Sequence, residues 1–294
     1  MMDSIEQGVV EANGVSFHYL AQGEGPLALL LHGFPDTAQT WRHLMPQLAS
    51  RGYRAVAPFM RGYAPTQAPD MNGLDAMSLF LALGGDANGL HGALGGDASA
   101  VLIGHDWGAV ATYSAVLQAP ERWRRCVTLA VPPLQIFGPR HSQYAQLKRS
   151  FYMWFFQMAA ANEVVRANDF AFIRALWADW SPGYDAEQDV LNLQRSLAAA
   201  ENLEAAIGYY RAFFNAEQFS FAYGDAVGPI SRPLLYLHGS TDGCVSLDHH
   251  AVAEAQAYAG AGSAVALMDG CGHFLHLEKP DEVGQRIDGF LGAP

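Results

Sequence analysis

The stretch that decides the fold is residues 101–118, "VLIGHDWGAVATYSAVLQ". An apolar run leads into two glycines that bracket an aspartate, and small residues follow at helical spacing. The pattern predicts a strand, a tight turn and a helix. Gly104 and Gly108 allow a sharp turn close to the sheet, which would project the central side chain, Asp106, into a cleft. An aspartate ahead of a helix is also an ordinary N-cap, so the stretch alone leaves both roles open.

The same rhythm extends on either side. Residues 27–33, "LALLLHG", form a continuous apolar run, as expected for a strand buried on both faces. "TWRHLMPQLASRG" (40–52) has helical spacing and closes at Gly52. "YRAVAPF" (53–59), "AVLIGHD" (100–106) and "RCVTLAVPP" (125–133) read as further buried strands. "PLLYLHG" (233–239) and "SAVALMDG" (263–270) resume the series after a gap. Alternating βα units predict an α/β fold with a mostly parallel sheet. Ahead of them, "GVVEANGVSFHYLAQG" (8–23) carries Asn13-Gly14, a strong hairpin signal.

Two segments break the rhythm. From Leu134 to Asp225 the chain turns helical and aromatic, with "SFYMWFFQM", "DFAFIRALWADW" and "IGYYRAFFNAEQFSF". A helical insertion between strands of a parallel sheet would cover the carboxyl edge, where such sheets bind ligands. The expected organisation is therefore a core of residues 1–133 and 226–294 with a lid of 134–225. The other segment, "LGGDANGLHGALGGDAS" (83–99), fails as a phosphate loop, because no Gly-Lys-Ser/Thr follows. It reads as a weak helix, in which Gly89 and Gly92 each cost roughly 1 kcal/mol against alanine.

Composition narrows the function classes. The chain has 294 residues and a formal net charge of -12, with lysine only at Lys148 and Lys279. Such a surface repels nucleic-acid phosphates and anionic lipid, so neither is an expected partner. Cys126, Cys244 and Cys271 are scattered, which argues against a disulfide framework or a structural zinc site. The N-terminal residues lack a basic segment followed by an apolar run, and no apolar stretch approaches the roughly 20 residues needed to span a bilayer. A cytoplasmic protein without cofactor or metal is the expectation; a homodimer is left open.

Two more sites fall at the ends of predicted strands. "LLYLHGSTDGCV" (234–245) puts Asp242 in a loop, and "MDGCGHFLHLEKPDEV" (268–283) does the same for His273, with His276 reading as packed beside Leu275 and Leu277. Nucleophile, acid, histidine is the chain order of the α/β-hydrolase triad. Together "LLHGFPDTAQTWRHLMPQLASRGYRAVAPFMRGY" (30–63), "GHDWGA" (104–109) and "GHFLHLEKPDEV" (272–283) resemble the α/β-hydrolase superfamily and, within it, the epoxide hydrolases.

That resemblance implies an eight-stranded sheet and a set of roles. Asp106 would be the nucleophile, Asp242 the acid and His273 the base. The backbone N–H groups of Phe34 and Trp107 would form the oxyanion hole. Lid tyrosines would bond the epoxide oxygen: Tyr152 from "YMWFFQ" and Tyr210 from "GYYRAF", with Tyr209 ranked second. Phe34, Trp107, Trp154 and Phe155 are expected against an apolar epoxide, aryl ones included. Trp177, Trp180, Phe213 and Phe214 are further aromatics that sequence cannot divide between pocket and lid core.

The chemistry follows from the aspartate. A carboxylate attacks carboxylic esters poorly but displaces oxygen or halide from an sp³ carbon, and a reference pKa of about 3.9 leaves it ionised at neutral pH. Water activated by the histidine would then hydrolyse the aspartyl ester, giving a vicinal diol. Haloalkane dehalogenases share this nucleophile, but they resemble one another in a polar second halide donor after His-Gly, where this chain has Phe34. "DWGAV" departs from the Asp-Arg-x-x-Arg elbow that fluoroacetate dehalogenases resemble. No Gly-x-Ser-x-Gly of a serine esterase occurs. A binding protein that keeps the fold without turnover is the remaining alternative, distinguished by assay of a chromogenic epoxide.

Overall fold

The computed structural model describes residues 5–71, 73–215 and 228–294. Among these, eight strands form one sheet in the order β1-β2-β4-β3-β5-β6-β7-β8. β1 (Glu6–Ala12) and β2 (Val15–Gln22) make an antiparallel hairpin, and β2 pairs antiparallel with β4 (Arg54–Pro58). The hairpin turns at Asn13 and Gly14, both at positive φ (47° and 73°), as a two-residue turn matching strand twist requires. From β4 onward, through β3 (Leu27–Leu31), β5 (Val101–His105), β6 (Arg125–Leu129), β7 (Leu234–Gly239) and β8 (Ala264–Met268), every pairing is parallel.

Burial explains why the central strands are unbroken apolar runs. Every residue of β3, β5 and β7 is buried. Helices α1 (Leu44–Ser50), α2 (Ala76–Ala93) and α3 (Trp107–Gln118) flank the sheet, with α10 (His249–Glu254), α11 (Leu275–Glu278) and α12 (Pro280–Leu291) near the C-terminus. The strand order reverses at β3, which has β4 on one side and β5 on the other. Crevices at such reversals are where open α/β sheets bind ligands.

Between β6 and β7 the described residues form six helices: α4 (Leu134–His141), α5 (Tyr144–Arg149), α6 (Phe151–Phe155), α7 (Ala161–Trp180), α8 (Glu187–Ser196) and α9 (Ala200–Phe213). α7 is interrupted by non-helical backbone at 167–170. The first of these helices opens at Leu134; residues 216–225 of the expected lid, 134–225, lie outside the described residues.

The glycine-rich segment becomes intelligible here. Its first eleven residues belong to α2, which packs on α3 and on the hairpin. A Cβ on Gly84 would fall 2.4 Å from Ser114 Oγ, so the cost in helix propensity is offset by a close helix–helix approach. Asp86 on the same helix is buried and paired with Arg61, while also accepting from Asn13 at 2.8 Å. Among the described residues no helix is long and apolar enough to cross a membrane.

Candidate active site

Asp106 sits on the turn between β5 and α3 with φ 52°, a conformation that L residues rarely adopt. The glycines make the turn possible. A Cβ on Gly108 would stand 2.0 Å from the Leu31 carbonyl oxygen, and one on Gly104 2.1 Å from that of Gly108. Asp106 occupies the N-cap position of α3, yet its side chain makes no capping bond. One carboxylate oxygen, Oδ1, instead accepts the Phe34 N–H at 2.8 Å. The other, Oδ2, faces His273 Nε2 at 3.6 Å. The capping role that the sequence left open is therefore not taken.

His273 and Asp242 come from the loops after β8 and β7. His273 Nδ1 lies 2.9 Å from Asp242 Oδ2, while Asp242 Oδ1 accepts the N–H groups of Cys244 (2.7 Å) and Val245 (2.9 Å). Both loops are tied to the insertion. The Trp180 carbonyl at the end of α7 accepts from His273 N–H (2.9 Å) and Gly243 N–H (3.1 Å). A helix end leaves such carbonyls without intrahelical partners, so one cap helix fixes the Asp242 and His273 loops together.

Electrostatics sets the protonation states. Burial alone would push His273 down, but the Asp242 charge and contacts to Asp106 hold it up, to about 10. Burial opposes ionisation of Asp242, yet its His273 partner keeps its carboxyl below the usual carboxylate range. Burial, with added repulsion from nearby acidic groups, raises both Tyr152 and Tyr210 well above a normal phenol. Both hydroxyls therefore keep their protons.

The two tyrosines meet beside the cavity that Asp106 also lines, ring centroids 5.4 Å apart, and Tyr210 lies at the same separation from Trp107. Tyr152 is within 3.6 Å of Cys244 Sγ; the Tyr210 hydroxyl has no hydrogen-bond partner among the described residues. Tyr209 is distinguished from its neighbour by packing. Its hydroxyl donates to the Arg61 carbonyl at 2.9 Å, away from the nucleophile.

Asp106, Trp107, Tyr152 and Tyr210 line one apolar cavity. Its wall includes Met77 and Phe80 of α2, Val110 of α3, Leu134 and Phe137 of α4, and Phe213 of α9. His141 and Cys244 add polar atoms. Sequence reasoning missed Met77, Phe80, His141 and Cys244; only the position of Cys244, two residues past the acid, offered a signal.

Two expected substrate contacts need correction. Trp154 is 44% exposed and packs on Phe214, with centroids 4.4 Å apart. Phe155 packs on Phe172 at 5.3 Å, inside the cap's own core. Neither lines the cavity. At about 100° per residue, a helix that turns Tyr152 and Phe156 inward carries Trp154 to the opposite face. Phe34, though not on the cavity wall, contacts Tyr210 edge-on at 5.2 Å. Trp177 stacks on Phe274 at 3.4 Å, and Trp180 packs against both Tyr152 and His273.

A family model described as the alpha/beta hydrolase fold matches residues 26–280. An epoxide hydrolase from Caballeronia sordidicola is 32% identical, the alignment covering 99% of this chain and 96% of that one. The chain belongs to the α/β-hydrolase superfamily, in its epoxide hydrolase family. This family member is thus an enzyme of the hydrolase class. It is also similar to epoxide hydrolase 1 of Siraitia grosvenorii, at 30% identity over 99% of both chains. Among solved structures, an inhibitor complex of a Bacillus megaterium epoxide hydrolase superposes with a TM-score of 0.81 at 25% identity, covering 97% of this chain and 99% of that one.

Proposed function

We propose that this epoxide hydrolase family member converts an apolar epoxide to a vicinal diol through an ester on Asp106. The observation that carries the reading is the division of the Asp106 carboxylate. Oδ1 is held by the Phe34 N–H, and Oδ2 is left beside the cavity and His273.

In the first step Oδ2 attacks an epoxide carbon, the C–O bond breaks, and the released oxygen takes a proton from Tyr210 or Tyr152. Alkylation removes the charge of Asp106, one of the groups holding the His273 proton in place. The imidazolium then returns that proton to the tyrosinate and becomes a base. In the second step Nε2 takes a proton from water, whose oxygen adds to the Asp106 carbonyl carbon. Negative charge develops on Oδ1, where the Phe34 N–H already donates. The N–H of Trp107, at the first turn of α3, is the second expected donor; helix geometry gives it no intrahelical acceptor. Collapse expels the alkoxide, which takes the acid proton of Asp106 and leaves as diol. Asp106 is again a carboxylate and His273 again protonated, so the proton inventory closes.

The apolar wall supports an apolar substrate, with one wet end at the tyrosines and nucleophile. A single turnover in ¹⁸O water tests the scheme with a styrene oxide analogue. Water that attacks the ester leaves its oxygen on Asp106, so the first diol should be mostly unlabelled. Labelled diol in the first turnover would mean direct attack of water on the epoxide. Haloalkanes in the same assay address the dehalogenase alternative.

A further inference from the structure

Asp36, His105 and His276 are separated by at least 69 positions between consecutive members, counting 36 to 105 and 105 to 276. The fold brings them together behind the catalytic histidine. One potential ligand atom of each lies within 4.8 Å of the others, and all three residues are buried, at 1%, 0% and 3% exposure. The sequence suggested no metal ligands because each residue sits in a different segment and has an ordinary local reading.

What distinguishes the cluster is its hydrogen bonding. His105 Nε2 lies 3.0 Å from the His273 carbonyl oxygen, so that nitrogen carries the proton and Nδ1 keeps its lone pair. His276 Nε2 lies 2.6 Å from Thr40 Oγ1. In the tautomer that donates from Nε2 to the threonine oxygen, Nδ1 keeps a lone pair. Asp36 Oδ1 accepts the Thr37 N–H at 2.7 Å. The leftover atoms, Asp36 Oδ2, His105 Nδ1 and His276 Nδ1, are buried and have no partner among the described residues. Three potential acceptors thus share a buried site, and none of the three atoms has a hydrogen-bond partner among the described residues. A single proton on Asp36 would satisfy one nitrogen at most.

We propose that Asp36, His105 and His276 form a binding site for a first-row transition dication such as Zn²⁺. Two imidazoles and one carboxylate suit Zn²⁺ or Co²⁺ rather than Mg²⁺ or Ca²⁺, which prefer all-oxygen shells. Metal-binding histidines characteristically donate their other ring N–H to a carbonyl or similar acceptor. His105 and His276 already do so, through the His273 carbonyl and Thr40. Zn–N bonds of about 2.0–2.1 Å put tetrahedral ligands about 3.3 Å apart, so side-chain shifts of an ångström or so close the site. Water would complete a four-coordinate shell. The site is separate from the ester chemistry, in which none of its three side chains takes part.

The test uses Co²⁺ as a coloured probe on the full chain stripped of metal with chelator. One equivalent should bind with the intense visible bands of a four-coordinate site, and Zn²⁺ should displace it. His276→Gln and Asp36→Asn should each weaken binding by more than about tenfold, and Thr40→Val, which removes no ligand, by about tenfold. Circular dichroism of the metal-free variants checks folding; if one variant fails to fold, the other decides. Exposed His43, His249 and His250 offer surface alternatives, so equal Co²⁺ binding in the wild type and both variants would overturn the proposal. So would the absence of a stoichiometric four-coordinate spectrum, or a Zn²⁺-soaked crystal showing only water in the cluster.

Discussion

Asp106 Oδ2 stands 3.6 Å from His273 Nε2, beyond hydrogen-bond length but in line with the base. The carboxylate oxygen is therefore close enough to the imidazolium to be stabilised while remaining free for the proposed attack on carbon. In the proposed scheme, esterification of that oxygen would leave Nε2 to act on water.

The first prediction concerns this pair. His273→Gln should still be alkylated by an epoxide but should release diol about 10² to 10⁴ times more slowly. Intact-protein mass spectrometry should show the enzyme heavier by one substrate. An unmodified mass, with substrate binding confirmed separately, would contradict the two-step scheme.

The two adjacent tyrosines should behave differently. Tyr210→Phe removes a proton donor aimed at the cavity and should slow alkylation while costing less stability than loss of a well-formed buried bond. Tyr209→Phe removes a buried bond to the Arg61 carbonyl and should cost about 1 kcal/mol of stability while sparing the chemical step. Tyr152→Phe combined with Tyr210→Phe should be nearly inactive. Single-turnover kinetics and urea unfolding separate these outcomes.

Substrate affinity should follow the cavity wall and ignore the exposed lid aromatics. Phe80→Ala and Phe213→Ala should raise KM for an aryl epoxide, because both rings line the cavity. Trp154→Ala should leave kcat/KM within about twofold, since that ring packs outside the cavity on Phe214. A large loss in the Trp154 variant would move the binding site.

Stability should have an optimum near pH 6.5 to 7 in the presence of a chelator. Burial, assisted in part by neighbouring positive charge, lowers His32 and His141 to about 4 and depresses His105, His238 and His276. These five bind more protons unfolded than folded between about pH 4 and 6.5, so stability rises with pH there. Asp36, raised to about 8 chiefly by burial, opposes them with a single site. His273 has the reverse sign, being raised to about 10; its contribution is full below about 6.5 and is lost as pH rises through 10. Urea midpoints measured from pH 4 to 9 should climb and then fall. Midpoints that stop falling above about pH 8 would mean His273 is not held protonated.

Much of this protein was written in local pattern. The unbroken apolar runs at 27–31, 101–105 and 234–239 specify strands buried on both faces, because only a central strand can hide every side chain. Asn13-Gly14 specified its turn for an equally local reason, the backbone conformation a two-residue hairpin demands. The glycines around Asp106, with the order Asp106, Asp242, His273, made the candidate triad legible, since strand ends and tight turns are short-range features.

Tertiary structure decided whatever depends on which face of an element meets which neighbour. Helix α6 is five residues long, too short for its periodicity to say that Tyr152 faces the nucleophile while Trp154 faces outward. Gly84 of α2 has no local reason in the sequence; a Cβ there would meet Ser114 of the packed α3. Met77 and Phe80 reach the cavity only because α2 packs on α3. Asp36, His105 and His276 share a site for a similar reason: lone-pair direction and partner supply are properties of the assembled core, and no stretch of the chain contains more than one of the three.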